Sequence, residues 1–150
     1  MSIVGHGIDL VEVARIAAMI REHGERFLGR CFTPAEQAYR GGSRRRAEHL
    51  AARFAAKEAV LKALGTGLTG SIAWTDIEVV SASTGAPSIV LHGSAKAAAT
   101  RAGVKSWIIS LTHTDTLAMA SVIALGGSVS ARPAKRGKKK TPPAKSKRGR

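Results

Sequence analysis

The sequence predicts an α+β fold, an antiparallel-type sheet packed with one long and several short helices. Three observations carry this. An apolar run with two glycines at residues 3–10 opens the chain as a strand. A proline-free stretch rich in alanine, leucine, lysine and glutamate, starting near Ala47 and ending at Gly65, reads as the long helix. After it come two strand pairs, 75–92 and 105–125, each joined by a short turn.

The first strand, Ile-Val-Gly-His-Gly-Ile-Asp-Leu, has glycines that permit close backbone approach. Asp9 stands near its end, where an aspartate either binds a metal or caps the following helix. Residues 11–23 form that helix, ended by Gly24, with Ile16 and Ile20 on one side. Arg15, Met19 and Glu22 recur on another side with Arg21 beside them, a stripe that either faces solvent or docks an acidic helix. Residues 27–32 read as a short helix or turn. Thr33-Pro34-Ala35-Glu36 is a capping box with proline at the first helical position. Residues 41–46, with Arg44, Arg45 and Arg46, read as a basic flexible loop suited to a phosphate, an acidic partner or solvent.

On the long helix, Glu58 shares a face with Ala51, Phe54, Ala55 and Leu61. A carboxylate in that company is paired or binds a metal. Lys62 lies one turn on, so a plain Glu58–Lys62 surface pair is the alternative. Arg53 and Lys57 point the other way. Gly65 and Gly67 close the helix in a turn that uses positive φ. Residues 68–73 form a loop and 75–81 a strand; 83–87 turn and 88–92 return, making a hairpin. Residues 94–101 form an alanine-rich helix closed by Gly103, 105–112 a strand, 113–116 a turn and 117–125 the last strand.

The chain has 150 residues and is 44% hydrophobic, enough for one domain with a real core. A single cysteine, Cys31, excludes an internal disulfide framework and fits a reducing compartment. No stretch nears the ~20 apolar residues of a membrane helix, and no signal-peptide pattern opens the chain, so a soluble, cytoplasmic protein is expected. Ten of the 24 lysines and arginines fall in the last twenty residues, which hold no acid. The rest carries fourteen basic against ten acidic residues, a net of 14 − 10 = +4. Residues 1–126 are expected to form the domain and 127–150 a disordered basic tail. Such a tail binds polyanions non-specifically by counterion release, or merely solvates.

Three segments in this order and spacing resemble the 4′-phosphopantetheinyl transferase superfamily, in its small acyl-carrier-protein synthase branch. They are Gly7-Ile8-Asp9-Leu10-Val11-Glu12, then Arg53-Phe54-Ala55-Ala56-Lys57-Glu58-Ala59 with Lys62-Ala63-Leu64-Gly65-Thr66-Gly67, and Ser110-Leu111-Thr112-His113 before Ala118. The resemblance covers roughly residues 3–125 and leaves out the tail. It implies Mg2+-dependent transfer of the 4′-phosphopantetheine arm of coenzyme A to a serine of apo acyl carrier protein. It implies Asp9 and Glu58 as metal ligands and catalytic groups, with Glu58 or a metal-bound water taking the serine proton. Lys62 is implied as a catalytic group beside the coenzyme A phosphates, Gly65, Thr66 and Gly67 as the turn under the nucleotide, Pro87 near the adenine, and His113 near the phosphates. Thr112 replaces the second serine of the family's Ser-x-Ser-His motif and keeps its hydroxyl. Arg15, Met19 and Arg21 are implied as the carrier-protein docking surface. A homotrimer with active sites between subunits is implied, Arg53 and residues 44–46 serving a neighbour's site. The competing readings are a polyanion- or nucleic-acid-binding protein led by the tail, and a Mg2+-dependent phosphohydrolase using the same carboxylates.

Overall fold

The computed structural model describes residues 1–39 and 41–127; the basic tail expected over 127–150 lies, from residue 128 on, outside the described residues. The element order is β1 (Ser2–Glu12), α1 (Val13–Cys31), α2 (Pro34–Gln37), α3 (Ser43–Leu64), a 3-10 turn (Trp74–Asp76), β2 (Ile77–Ser81), β3 (Pro87–Leu91), α4 (Gly93–Arg101), β4 (Val104–His113) and β5 (Leu117–Gly126). The expected α+β class holds, with the strands divided between two antiparallel sheets. β1, β5 and β4 form one in that order, and β2 and β3 stand apart as a two-stranded hairpin.

α3 lies across the inner face of the larger sheet. Small residues make that contact close: Ala118, Ala120, Val122 and Ala124 of β5 are all buried beneath it. On β1, a Cβ added to Gly5 or Gly7 would overlap the backbone carbonyl of Ala63 or Ala59. The close approach expected of these glycines is therefore realised against a helix backbone. α3 is buried nearly all round, at Leu50, Ala51, Ala55, Ala56, Ala59, Val60 and Leu61, because α1, α2 and β2 cover the side turned from the sheet. A helix covered on both sides needs apolar residues on both, which its alanines supply.

Three local readings are corrected. Residues 43–46 are helical, so the basic segment is the first turn of α3 and not a loop. Asp9 caps no helix, since the N-cap of α1 is Glu12. α1 runs on to Cys31, but Gly24, at φ 47° and ψ −130°, breaks it where the sequence expects an end. The capping box forms as expected, with Thr33 N donating to Glu36 Oε2 at 2.9 Å and Glu36 N to Thr33 Oγ1 at 3.3 Å. Gly65 ends α3 in the left-handed region at φ 67°.

One feature was not legible. Lys57 is fully buried and pairs with the equally buried Glu36, Nζ to Oε2 at 2.8 Å. Burial pulls the ammonium pKa down and Glu36 opposes it. Lys57 Nζ also donates to the carbonyls of Trp74 and Ile77, and Glu36 Oε1 accepts from Val79 N at 2.9 Å. Removing one partner strands the other charge. Lys57→Met alone is expected to cost about 3–5 kcal/mol, read as a lower denaturant midpoint.

Candidate active site

Register brings the first candidate group together. Gly7 touches α3 at Ala59, so Asp9, two residues on and on the same inner side, lies beside Glu58. Lys62 reaches across from α3, its Nζ 2.7 Å from Asp9 Oδ1 and 3.0 Å from Ile8 O. The Glu58–Lys62 surface pair is thus replaced by a Lys62–Asp9 pair. Glu58 is half-buried and keeps no hydrogen-bond or salt-bridge partner among the described residues. Burial raises its pKa first and the Asp9 charge raises it further; Lys62 and Arg15 act the other way. Two facing carboxylates supply hard oxygen donors, and together with phosphate oxygens they suit Mg2+. The donor set therefore fits that ion.

At the end of α3, Thr66 N donates back to Leu61 O at 3.3 Å, and Gly67 repeats the positive φ at 59°. The Thr66 hydroxyl is buried without a partner among the described residues, so the turn holds an unused polar group. Pro87 opens β3 opposite Ser81.

A second cleft, of about 370 Å³, lies on the other side of α3. It is lined by His113 and Leu111 of β4, and by Arg45, His49 and Arg53 of α3. It shares no lining residue with the roughly 470 Å³ cleft of Asp9, Lys62, Ile8, Leu10 and Met119. Within one chain, then, Asp9, Glu58 and Lys62 come together, while Arg53 and His113 come together elsewhere. Arg53 Nη2 donates to Ser81 Oγ at 3.2 Å, while its Nε is buried without a partner among the described residues. Arg44 bonds Asp115 at 2.7 Å, tying the first turn of α3 to the β4–β5 turn. His49 stacks on Tyr39 at 4.0 Å, and burial, then Arg53, lowers its pKa to about 4, so it stays neutral near pH 7. Tyr39 and His49 carry no local sequence signal, since nothing marks a histidine that stacks on a tyrosine ten residues away.

On α1, Arg15 is exposed and close enough to Glu58 to shift it. Met19 lines a groove of about 270 Å³ with Arg26 and Arg30. Arg21 is not part of it and lies 3.9 Å from Glu22. Met19, Arg26 and Arg30 recur at seven- and four-residue spacing, and that helical repeat was the available signal.

The family model described as the 4′-phosphopantetheinyl transferase superfamily matches residues 5–120. The holo-[acyl-carrier-protein] synthase of Koribacter versatilis is 49% identical over 121 residues, 81% of this chain and 97% of that relative. Among solved structures, the holo-[acyl-carrier-protein] synthase of Helicobacter pylori in complex with coenzyme A is similar at a TM-score of 0.70 and 29% identity, covering 80% of this chain and 99% of that one. That of Bacillus anthracis in complex with CoA (3′,5′-ADP) is similar at 0.68 and 32% identity, covering 83% and 98%. No helix among the described residues is long and apolar enough to cross a membrane.

Proposed function

The chain belongs to the 4′-phosphopantetheinyl transferase superfamily, and we propose that it is a holo-[acyl-carrier-protein] synthase, moving the 4′-phosphopantetheine arm of coenzyme A to a serine of apo acyl carrier protein. The observation that carries the chemistry is Glu58 beside Asp9, with Lys62 bridging to Asp9 at 2.7 Å. Asp9 and Glu58 would hold Mg2+, which when bound neutralises charge on the coenzyme A pyrophosphate. The Glu58 carboxylate takes the serine proton. The serine oxygen bonds to the phosphorus bearing the pantetheine arm. The pyrophosphate P–O bond breaks, and adenosine 3′,5′-bisphosphate departs. Lys62 faces the pyrophosphate; Arg53 and His113 hold the nucleotide phosphates, and Gly65, Thr66, Gly67 and Pro87 support the nucleotide. Positioning and positive charge supply most of the rate.

The reading includes a homotrimer, and the separation of the two clefts within one chain supports active sites shared between copies. Ile8, Leu10 and Ile108, on the outer face of the larger sheet, are 50%, 59% and 53% exposed. So apolar a face favours burial against another copy. It adjoins the Asp9 cleft, so closing it sets one subunit's Asp9, Glu58 and Lys62 against the next subunit's Arg53 and His113. Leu10→Glu is expected to yield monomers in analytical ultracentrifugation and to lower kcat/KM at least tenfold. The exposed Arg15 and the Met19–Arg26–Arg30 groove suit an acidic carrier-protein helix, with Arg21 at the margin. The domain spans residues 1–126 and works in the cytoplasm.

The test is direct. Apo acyl carrier protein, coenzyme A and Mg2+ are incubated with the protein, and the carrier is weighed by mass spectrometry. A gain of one phosphopantetheine that disappears with a chelator is expected. No gain, with phosphopantetheine released from coenzyme A alone, favours the phosphohydrolase reading. No turnover of either kind rejects both.

A further inference from the structure

The buried Glu36–Lys57 pair takes no part in the chemistry above, yet its arrangement is more than a stable core requires. Lys57 Nζ has three acceptors, Glu36 Oε2 and the carbonyls of Trp74 and Ile77. The Glu36 carboxylate accepts from Lys57, Thr33 N and Val79 N. These directional bonds join α2, α3, the 3-10 turn and β2 at one point. Apolar contacts tolerate sliding by fractions of an ångström; a closed set of hydrogen bonds does not. An ion pair so buried adds little net stability over an apolar pair of similar volume, so its advantage is in fixing geometry.

What it fixes is the base of the β2–β3 hairpin against α3. Between them runs a cleft of about 660 Å³, its walls including Glu36, Arg53, Val80 and Ser81. Two residues beyond Val79, the Ser81 hydroxyl holds Arg53 Nη2, and Ser81 pairs with Pro87. Asp9 and Glu58, by contrast, are set by the Gly5 and Gly7 contacts of β1 with α3; Glu58 follows Lys57 in the chain but faces β1, and neither carboxylate bonds to the pair.

We propose that Glu36 and Lys57 are positioning residues for coenzyme A: the pair sets the hairpin at the height over α3 that aims Arg53 and Pro87 at the nucleotide. This rests on the assignment of Arg53 to the nucleotide phosphates. It separates two effects that a merely structural pair would leave coupled. Losing the pair weakens coenzyme A binding, while turnover at saturating coenzyme A persists.

The test uses the full chain with Lys57→Met and Glu36→Gln combined, which removes both charges at similar volume. Coenzyme A affinity is read by calorimetry, and kcat and KM by the mass assay. A folded variant with coenzyme A binding weakened about tenfold and kcat within about twofold of the parent is expected. Affinity within twofold of the parent, in a folded variant, overturns the assignment and leaves the pair structural. A lost kcat with unchanged affinity also overturns it, since the pair then acts through Glu58. If the double variant does not fold, Lys57→Gln combined with Glu36→Gln, likewise uncharged but able to keep an amide hydrogen bond between the two positions, is read in the same way with an expected weakening of about threefold. A parent protein that fails to bind coenzyme A removes the functional reading and this assignment together.

Discussion

Glu58→Gln is expected to lower kcat/KM for transfer by about 10³-fold while the protein stays folded. The amide keeps the shape of the side chain and removes the negative charge. It takes away a metal ligand and the proton acceptor together, so the loss exceeds that of either role alone. The stability effect has the opposite sign. The folded-state pKa of Glu58 is raised above its ordinary 4.5 by burial and by Asp9. The folded protein therefore binds this proton more tightly than the unfolded chain. That contribution is present below the ordinary value and is lost as pH rises through the raised one. Near neutral pH the ionised Glu58 weakens the fold, so Glu58→Gln should melt no lower than the parent. Calorimetric melting at pH 7 beside the mass assay checks both. A variant that loses activity by losing structure contradicts the assignment, and so does one retaining most of its transfer.

Much of this fold was legible because its signals are local. The capping box at Thr33 and Glu36, the positive-φ ending at Gly65 and the alternation of β2 each declare themselves within a few residues. Lys57 shows where local reading fails. Periodicity turns it away from Glu58 and does not say what it meets there. Its burial depends on Glu36, twenty-one positions earlier, being brought over α3 by the α2 turn, which no helical wheel contains. The Arg44–Arg46 segment failed differently. Gly41-Gly42-Ser43 suggests a flexible stretch, yet glycine at the N-cap is compatible with a helix starting at Ser43, and arginine favours helix. The candidate site was legible through resemblance more than through pattern, since Asp9 and Glu58 are forty-nine positions apart and only the register of β1 on α3 brings them together. The split between the Asp9 and His113 clefts lies beyond any single-chain pattern, because it is a matter of how copies meet.

That register makes Gly7→Ala the second large effect. The added methyl would overlap the carbonyl oxygen of Ala59, a backbone atom that no rotamer change can move aside. β1 and α3 must part by on the order of an ångström, at a cost of about 1–3 kcal/mol or more. Asp9 is two residues along β1, and Glu58 adjoins Ala59 on α3, so the strain falls between the two carboxylates. A displacement of about 1 Å in a catalytic group can cost about 10²-fold in rate. Gly7→Ala is therefore expected to lower both the denaturant midpoint and kcat, the latter by about 10²-fold. Ile8→Val, one residue on and facing outward, trims one methyl without touching the β1–α3 contact and should change both far less. The pair of measurements separates tight packing in general from this one contact. Full activity in Gly7→Ala would mean that the approach of β1 to α3 does not set the distance between Asp9 and Glu58. A loss of stability without a loss of kcat, measured well below the melting temperature, would mean that the glycine serves packing alone.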